Sequence, residues 1–122
     1  MTILKAFEQH LNTLYPCKRE YRWLNQINEF PYITFVCNED TRVHIGADVR
    51  YGVIDVQIRA YVKEENSQSA GDRLLIQIEE HLQAFEHPTL QDCRTLQVST
   101  DEGILEPYGV VDLQVRIAYD RN

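Results

Sequence analysis

No apolar run in this sequence approaches the roughly 20 residues that a membrane-crossing helix needs, so no spanning helix is expected. Charge interrupts the first ten residues, Met1 to His10, too early for a secretory signal, which predicts a soluble, intracellularly made protein. Cysteine is scarce and odd in number. Cys17, Cys37 and Cys93 share no metal-type spacing and predict free thiols in a reducing compartment rather than a disulfide framework. Only five glycines occur, and none sits in a phosphate-cradling pattern. Basic residues are the minority, 12 against 19 acidic, for a net charge of −7. That balance argues against a domain that grips nucleic acid by neutralising phosphates. It is compatible with an acidic wall that DNA merely passes, or with charge kept for solubility.

Signatures of chemistry are missing as well. His10, His44, His81 and His87 form no His-x-x-x-His pair, and no cysteine lies near any of them in the pattern of a zinc site. Asp101, Glu102 and Glu106 could collect a hard cation, but the EF-hand spacing is absent and a solvated acidic loop is the simpler reading. Ser67, Ser69 and Ser99 lack a nucleophile elbow, and Cys93 has His87 upstream with no motif around either. Carboxylates are plentiful, yet nothing marks an acid–base pair. No catalytic, cofactor-binding or metal-binding residue is expected, and neither an enzyme nor a cofactor.

What the chain does have is one stretch twice. Tyr51-Gly52-Val53-Ile54-Asp55-Val56-Gln57-Ile58-Arg59 returns as Tyr108-Gly109-Val110-Val111-Asp112-Leu113-Gln114-Val115-Arg116. Both copies alternate apolar with polar, the period of a half-buried β-strand. Ile54, Val56, Ile58, Ala60 and Val62 share one face, as do Val111, Leu113, Val115, Ile117 and Tyr119. The opposite faces read Asp55-Gln57-Arg59 and Asp112-Gln114-Arg116. In-register parallel pairing would set like charges side by side. Antiparallel pairing places Asp55 by Arg116, Gln57 by Gln114 and Arg59 by Asp112, each opposed pair contributing about 0.2–1 kcal/mol. These faces are either the solvated side of a sheet or an intersubunit surface. Arginine supplies nine of the twelve basic residues, and its planar fork suits interfaces better than lysine.

Around the repeat, Ile3, Leu4, Phe7, Leu11 and Leu14 fall at helical spacing over residues 2–15, with Thr2 as cap and Pro16 as stop. The stripe packs in the core or, alternatively, binds a partner. Residues 17–29 read as a short strand or an irregular anchor. Phe30 to Cys37 reads as a strand that tolerates Pro31 at its start. Asn38-Glu39-Asp40-Thr41 has the composition of a turn, and Val43, Ile45, Ala47 and Val49 alternate as the next strand. The apolar phase then shifts from odd to even positions at Tyr51-Gly52, which predicts a turn or bulge at Gly52. A polar connection over 63–70 leads to a second amphipathic helix marked by Leu74, Leu75, Ile78, Leu82 and Phe85, with Ser69 and Asp72 resembling a capping box. A strand over 94–100, an exposed loop over 101–107 and the second repeat copy follow, with a corner expected at Pro107-Tyr108-Gly109.

The order, α-β-β-β-α-β-β, predicts a single α+β domain over residues 1–122: a mainly antiparallel sheet with two helices packed on one face.

The run from Asp48 through Tyr51-Gly52 to Tyr61 and Val62, then Ala70-Gly71-Asp72-Arg73-Leu74-Leu75 on to Leu82, resembles tail terminator (tail-completion) proteins of long-tailed bacteriophages. Size, acidity and element order are similar. The resemblance implies a structural virion subunit, assembled in the host cytoplasm, that forms a homo-oligomeric, hexameric ring. Such a ring caps the tail tube, ends its polymerisation and presents a face to a head or neck connector protein, with DNA only passing through the lumen and no membrane contact. Candidate interface residues are then Asp55, Gln57, Arg59, Asp112, Gln114 and Arg116, the loop bearing Glu39 and Asp40, and the loop bearing Asp101, Glu102 and Glu106. Edge strands Phe30–Cys37 or Val43–Val49 could extend a neighbour's sheet. The alternative from another class is a small regulatory or ligand-binding module that acts as a dimer, with a pocket between sheet and helices.

Overall fold

Local pattern and packing agree at the first helix. In the computed structural model, α1 spans Ile3–Asn12, and the Thr2 hydroxyl accepts the Lys5 amide at 3.3 Å as its N-cap. Ile3, Phe7 and Leu11, spaced one turn apart, are its buried stripe. The amides of Leu14 and Tyr15 close on the Leu11 carbonyl, and Pro16 ends the run. The structure describes residues 2–20, 26–45, 49–64, 67–100 and 107–120.

The strands are β1 (Cys17–Arg19), β2 (Tyr32–Ile45), β3 (Val49–Lys63), β4 (Leu90–Thr100) and β5 (Tyr108–Asp120); α2 (Ser67–Gln83) lies between β3 and β4. They form one sheet in the order β1-β2-β3-β5-β4. Among the described strands only β1 runs parallel to its neighbour, pairing Cys17 with Ile33 and Arg19 with Phe35. The expected order α-β-β-β-α-β-β and the mainly antiparallel α+β class both hold.

The first three strands are nonetheless divided differently from the expectation. There is no turn at 38–41: β2 runs on to Ile45, and its register with β3 slips between Cys37 and Glu39. A bulge of this kind leaves one residue without an opposite number while the ladder continues. The polar composition of Asn38 to Thr41 imitates a turn, but the 15-residue β3 offers a template along its whole length. Nor does the chain turn at Gly52, which sits within β3 between Arg42 and Tyr119. Gly52 is there for space rather than for an unusual backbone angle. A Cβ would fall inside the envelope of the Tyr119 ring, which lies across it. Likewise Gly109 is already in β5, paired with Val62, so the corner lies before Tyr108. Ser69 stands inside α2 rather than at its cap, and its hydroxyl accepts Arg73 at 3.1 Å.

One face of the sheet carries the core. Ile54, Val56, Ile58, Ala60 and Val62 of β3 and Val111, Leu113, Val115 and Ile117 of β5 are all buried there, under Phe7 and Leu11 of α1 and Leu74, Ile78 and Leu82 of α2. Phe7 stands edge-on to Phe35 at 6.0 Å and to Phe85 at 5.3 Å. Edge-to-face pairs of this kind add about 0.5–1.5 kcal/mol each beyond area burial.

The opposite face is not simply solvated. Thr34 and Tyr61 point away from the helices and are buried all the same. Ile27 is buried outside the main cluster, and the Phe30 ring rests on Tyr108 at 5.7 Å. Part of the segment before β2 therefore covers one end of this second face. The short strand or anchor expected over residues 17–29 falls in its middle on 21–25, which lie outside the described residues.

Candidate assembly interface

The twin nonapeptides meet as antiparallel neighbours at the centre of the sheet. Asp55 lies opposite Arg116, Gln57 opposite Gln114 and Arg59 opposite Asp112, the charge-complementary register. Gln57 and Gln114 mark the centre of a local two-fold relation between the copies. Arg116 grips Asp55 with two donors, Nε to Oδ1 at 2.8 Å and a terminal nitrogen to Oδ2 at 3.3 Å. Arg59 Nε donates to Asp112 Oδ1 at 3.2 Å, and Gln57 Nε2 reaches the same oxygen at 3.5 Å. Partial burial works against the Arg59 charge. The Asp112 carboxylate, helped by Tyr61, outweighs it and holds the guanidinium above its ordinary pKa.

The ladder continues across the sheet. Arg94 of β4 occupies the register position beside Arg116, a like-charge neighbour relation that alone is unfavourable. Each guanidinium escapes it through its own carboxylate, Arg94 with Asp92 at 2.8 Å and Arg116 with Asp55. On the other side, Glu39 takes the register position next to Asp55, and Asp40 the one next to Ile54. Six of the expected residues are thus brought together on two strands, and Glu39 and Asp40 lie in register with them on β2 rather than on a separate loop. Asp101, Glu102 and Glu106 lie outside the described residues.

The edges expected from the sequence were Phe30–Cys37 or Val43–Val49, and β4 was overlooked. Phe30–Cys37 is no free edge, because β1 occupies the outer side of β2 at Ile33 to Phe35. Beyond Phe35 no described strand pairs with that side of β2. The other edge is β4, whose 11 residues are mostly exposed on both faces. Its register with β5 slips twice, between Leu90 and Asp92 and between Thr95 and Gln97, so Leu96 falls at the second bulge. Leu96 is 45% exposed and Val98 40%, although Val98 lies opposite the fully buried Leu113. The helical layer stops short of this half of β4. Bulges are a common way of blunting a sheet edge, whereas two exposed apolar residues on one invite a partner. No local signal marks this, because Leu96 and Val98 alternate with Gln97 and Ser99 as a half-buried strand does.

Depressions on the surface are shallow and open. One of about 530 Å³ is lined by Phe85, Glu86, His87, Pro88 and Leu90. Another of about 370 Å³ lies between the end of β3 and α2, where Arg73 reaches Glu64 at 2.7 Å beside Tyr15 and Leu74. Among the described residues no group of three or more His, Cys, Asp or Glu could hold a metal ion, and no helix is long and apolar enough to cross a membrane.

Comparison with known proteins gives the same direction as the sequence pattern. No family model matches the chain. It is 24% identical to the tail tube terminator protein p142 of Escherichia phage T5 over 128 residues, which takes in 92% of this chain and 80% of that protein. Among solved structures, the fold is similar to a chain in the virion of a native gene transfer agent particle, with a TM-score of 0.64 at 8% identity, covering 98% of this chain and 92% of the other. It is also similar to the gp17 protein of bacteriophage SPP1, with a TM-score of 0.50 at 17% identity, covering 98% and 88%. The resemblance to tail terminator proteins read from residues 48–82 thus extends over most of the chain.

Proposed function

We propose that this protein is a structural tail terminator subunit of a phage-like virion. It caps the tail tube as a ring and joins the tube to the head or neck. The similarity to a tail tube terminator over 92% of the chain is the observation that carries this reading. The subunit assembles in the host cytoplasm, ends in the virion tail, and does its work through surfaces rather than through a catalytic group.

The unlike edges of the sheet support ring closure. A contact between two different surfaces of identical subunits is head-to-tail, and it closes on itself when the rotation permits. Here β4, with Leu96 and Val98, is one such surface, and β2 beyond Phe35 is the other. Adding a strand across them satisfies main-chain groups and buries the two apolar side chains together. The Asp55–Arg116 and Arg59–Asp112 ladder keeps the strands that carry these edges in register. Six copies form the ring, and the net charge of −7 per chain keeps DNA from adhering as it passes.

Mass measurement in solution, with and without purified tail tubes, tests the reading. The expected result is a hexamer, or a smaller species that assembles on tube ends and halts their growth. A monomer that never binds tubes would sink the proposal, and a stable dimer indifferent to tubes would favour the ligand-binding alternative. Replacing Leu96 and Val98 together by Asp is expected to abolish ring formation while leaving the monomer folded, as both are already exposed.

A further inference from the structure

The last turns of the two helices meet at a pair of histidines. His10 and His81 stack with ring centroids 4.0 Å apart and an interplanar angle of 12°. His10 Nε2 lies 2.5 Å from the His81 carbonyl oxygen, and His81 Nε2 lies 2.6 Å from the His10 carbonyl oxygen. A carbonyl only accepts, so each Nε2 must carry the hydrogen. The Thr13 hydroxyl donates to the His10 carbonyl at 2.6 Å, which leaves its oxygen to accept from His81 Nε2 at 3.0 Å. Both rings are thereby set as the Nε2–H tautomer, and the next proton must enter at Nδ1.

We infer that this reciprocal stack is an acid-sensitive clasp between the ends of α1 and α2, closed while at most one ring is charged and released when both are. This role is independent of the assembly reading. One proton is tolerable, because the carbonyl ends of both helices favour a positive charge. Two place like charges face to face at 4.0 Å. Among the described residues, little nearby can neutralise them. Phe85 packs against His10 at 5.4 Å, and the depression beside His81 is lined by Leu14, Gln77, Ala84 and one ionisable group, Glu80. The other charges on these helices with ion-pair partners are engaged elsewhere, Lys5 with Glu8 and Arg73 with Glu64.

Burial lowers the pKa of His10; the hydrogen bond to the His81 carbonyl partly offsets this, and the His81 charge lowers it further. With the folded value below the unfolded one, the unfolded chain binds more protons between the two. The stabilisation is therefore present above about pH 6.5 and is lost as pH falls through the folded value. Opening the clasp frees the end of α1, the helix whose Phe7 holds Phe35 and Phe85 together.

Nitrogen NMR of the imidazoles and amide exchange of residues 3–12, from about pH 8 to about pH 5, read the clasp directly. Both rings are expected as Nε2–H at the upper pH, with two titration steps separated by a tenfold or greater difference in proton affinity, roughly one pH unit. Exchange of the α1 amides, corrected for intrinsic rates, should accelerate about tenfold as the second proton binds. The His10→Gln/His81→Gln double variant keeps two donors without a charge and should lose that acceleration. An Nδ1–H tautomer on either ring, a single shared step, or the same acceleration in the double variant would overturn the inference. The NMR readings use the unaltered protein, so they decide the matter even if the variant fails to fold.

Discussion

Reversing one charge pair of the central ladder tests both the register and its energetic worth. Asp55 and Arg116 face each other across β3 and β5 with two hydrogen bonds, yet their side chains are 26% and 48% exposed. Solvent screening therefore limits their attraction to about 0.3 kcal/mol, in the range of exposed pairs. Arg116→Asp replaces that attraction by a repulsion of similar size. Asp55→Arg does the same with the opposite sign, and the double variant restores an attraction. The coupling energy counts two attractions against two repulsions, so it should be about 1 kcal/mol. Each single variant also gains an opposite charge in register across the sheet, Arg94 beside position 116 and Glu39 beside position 55. Urea unfolding is suitable, because a slope of about 2 kcal/mol per molar turns this coupling into a midpoint shift of roughly 0.5 M. Coupling indistinguishable from zero at low salt would refute the claim that these charges help to set the register.

Two further outcomes follow from the fold. Gly52→Ala should destabilise by about 1–3 kcal/mol, the usual cost of overpacking, because the new methyl displaces the Tyr119 ring; an unchanged urea midpoint would show that the ring is free to move aside. Burial, with a contribution from Glu8, pushes the Cys17 thiol up to about 12, and burial, with Asp92, pushes Cys93 up to about 11. At about pH 8 these thiols are ionised to roughly one part in ten thousand and one in a thousand, so a disulfide reagent should label them slowly until urea is added. Labelling of Cys93 in the folded protein at the rate of a free peptide thiol would contradict this.

Legibility differed between elements for identifiable reasons. The two repeat strands could be read because alternation is local and only one pairing direction satisfies Asp55, Arg59, Asp112 and Arg116 together. The helices could be read from their buried stripes, Ile3-Phe7-Leu11 and Leu74-Ile78-Leu82. The continuation of β2 through Asn38 to Thr41 could not, because those residues have turn composition and the ladder that keeps them extended belongs to β3. The three-residue β1 carries no period of its own, and its place is decided by Ile33 to Phe35. Leu96 and Val98 look like core residues of a strand, and only the reach of α2 leaves them exposed.

Sequence alone therefore determined the α+β class, the element order, the two helical stripes and the antiparallel Asp-Gln-Arg ladder, because each rests on spacing or charge within a short window. Tertiary structure decided where the sheet is open, which end of its second face is covered, that the Tyr119 ring lies across Gly52, and that His10 meets His81 across 71 positions. Those features depend on which segments lie side by side, and no local pattern in a chain carries that information.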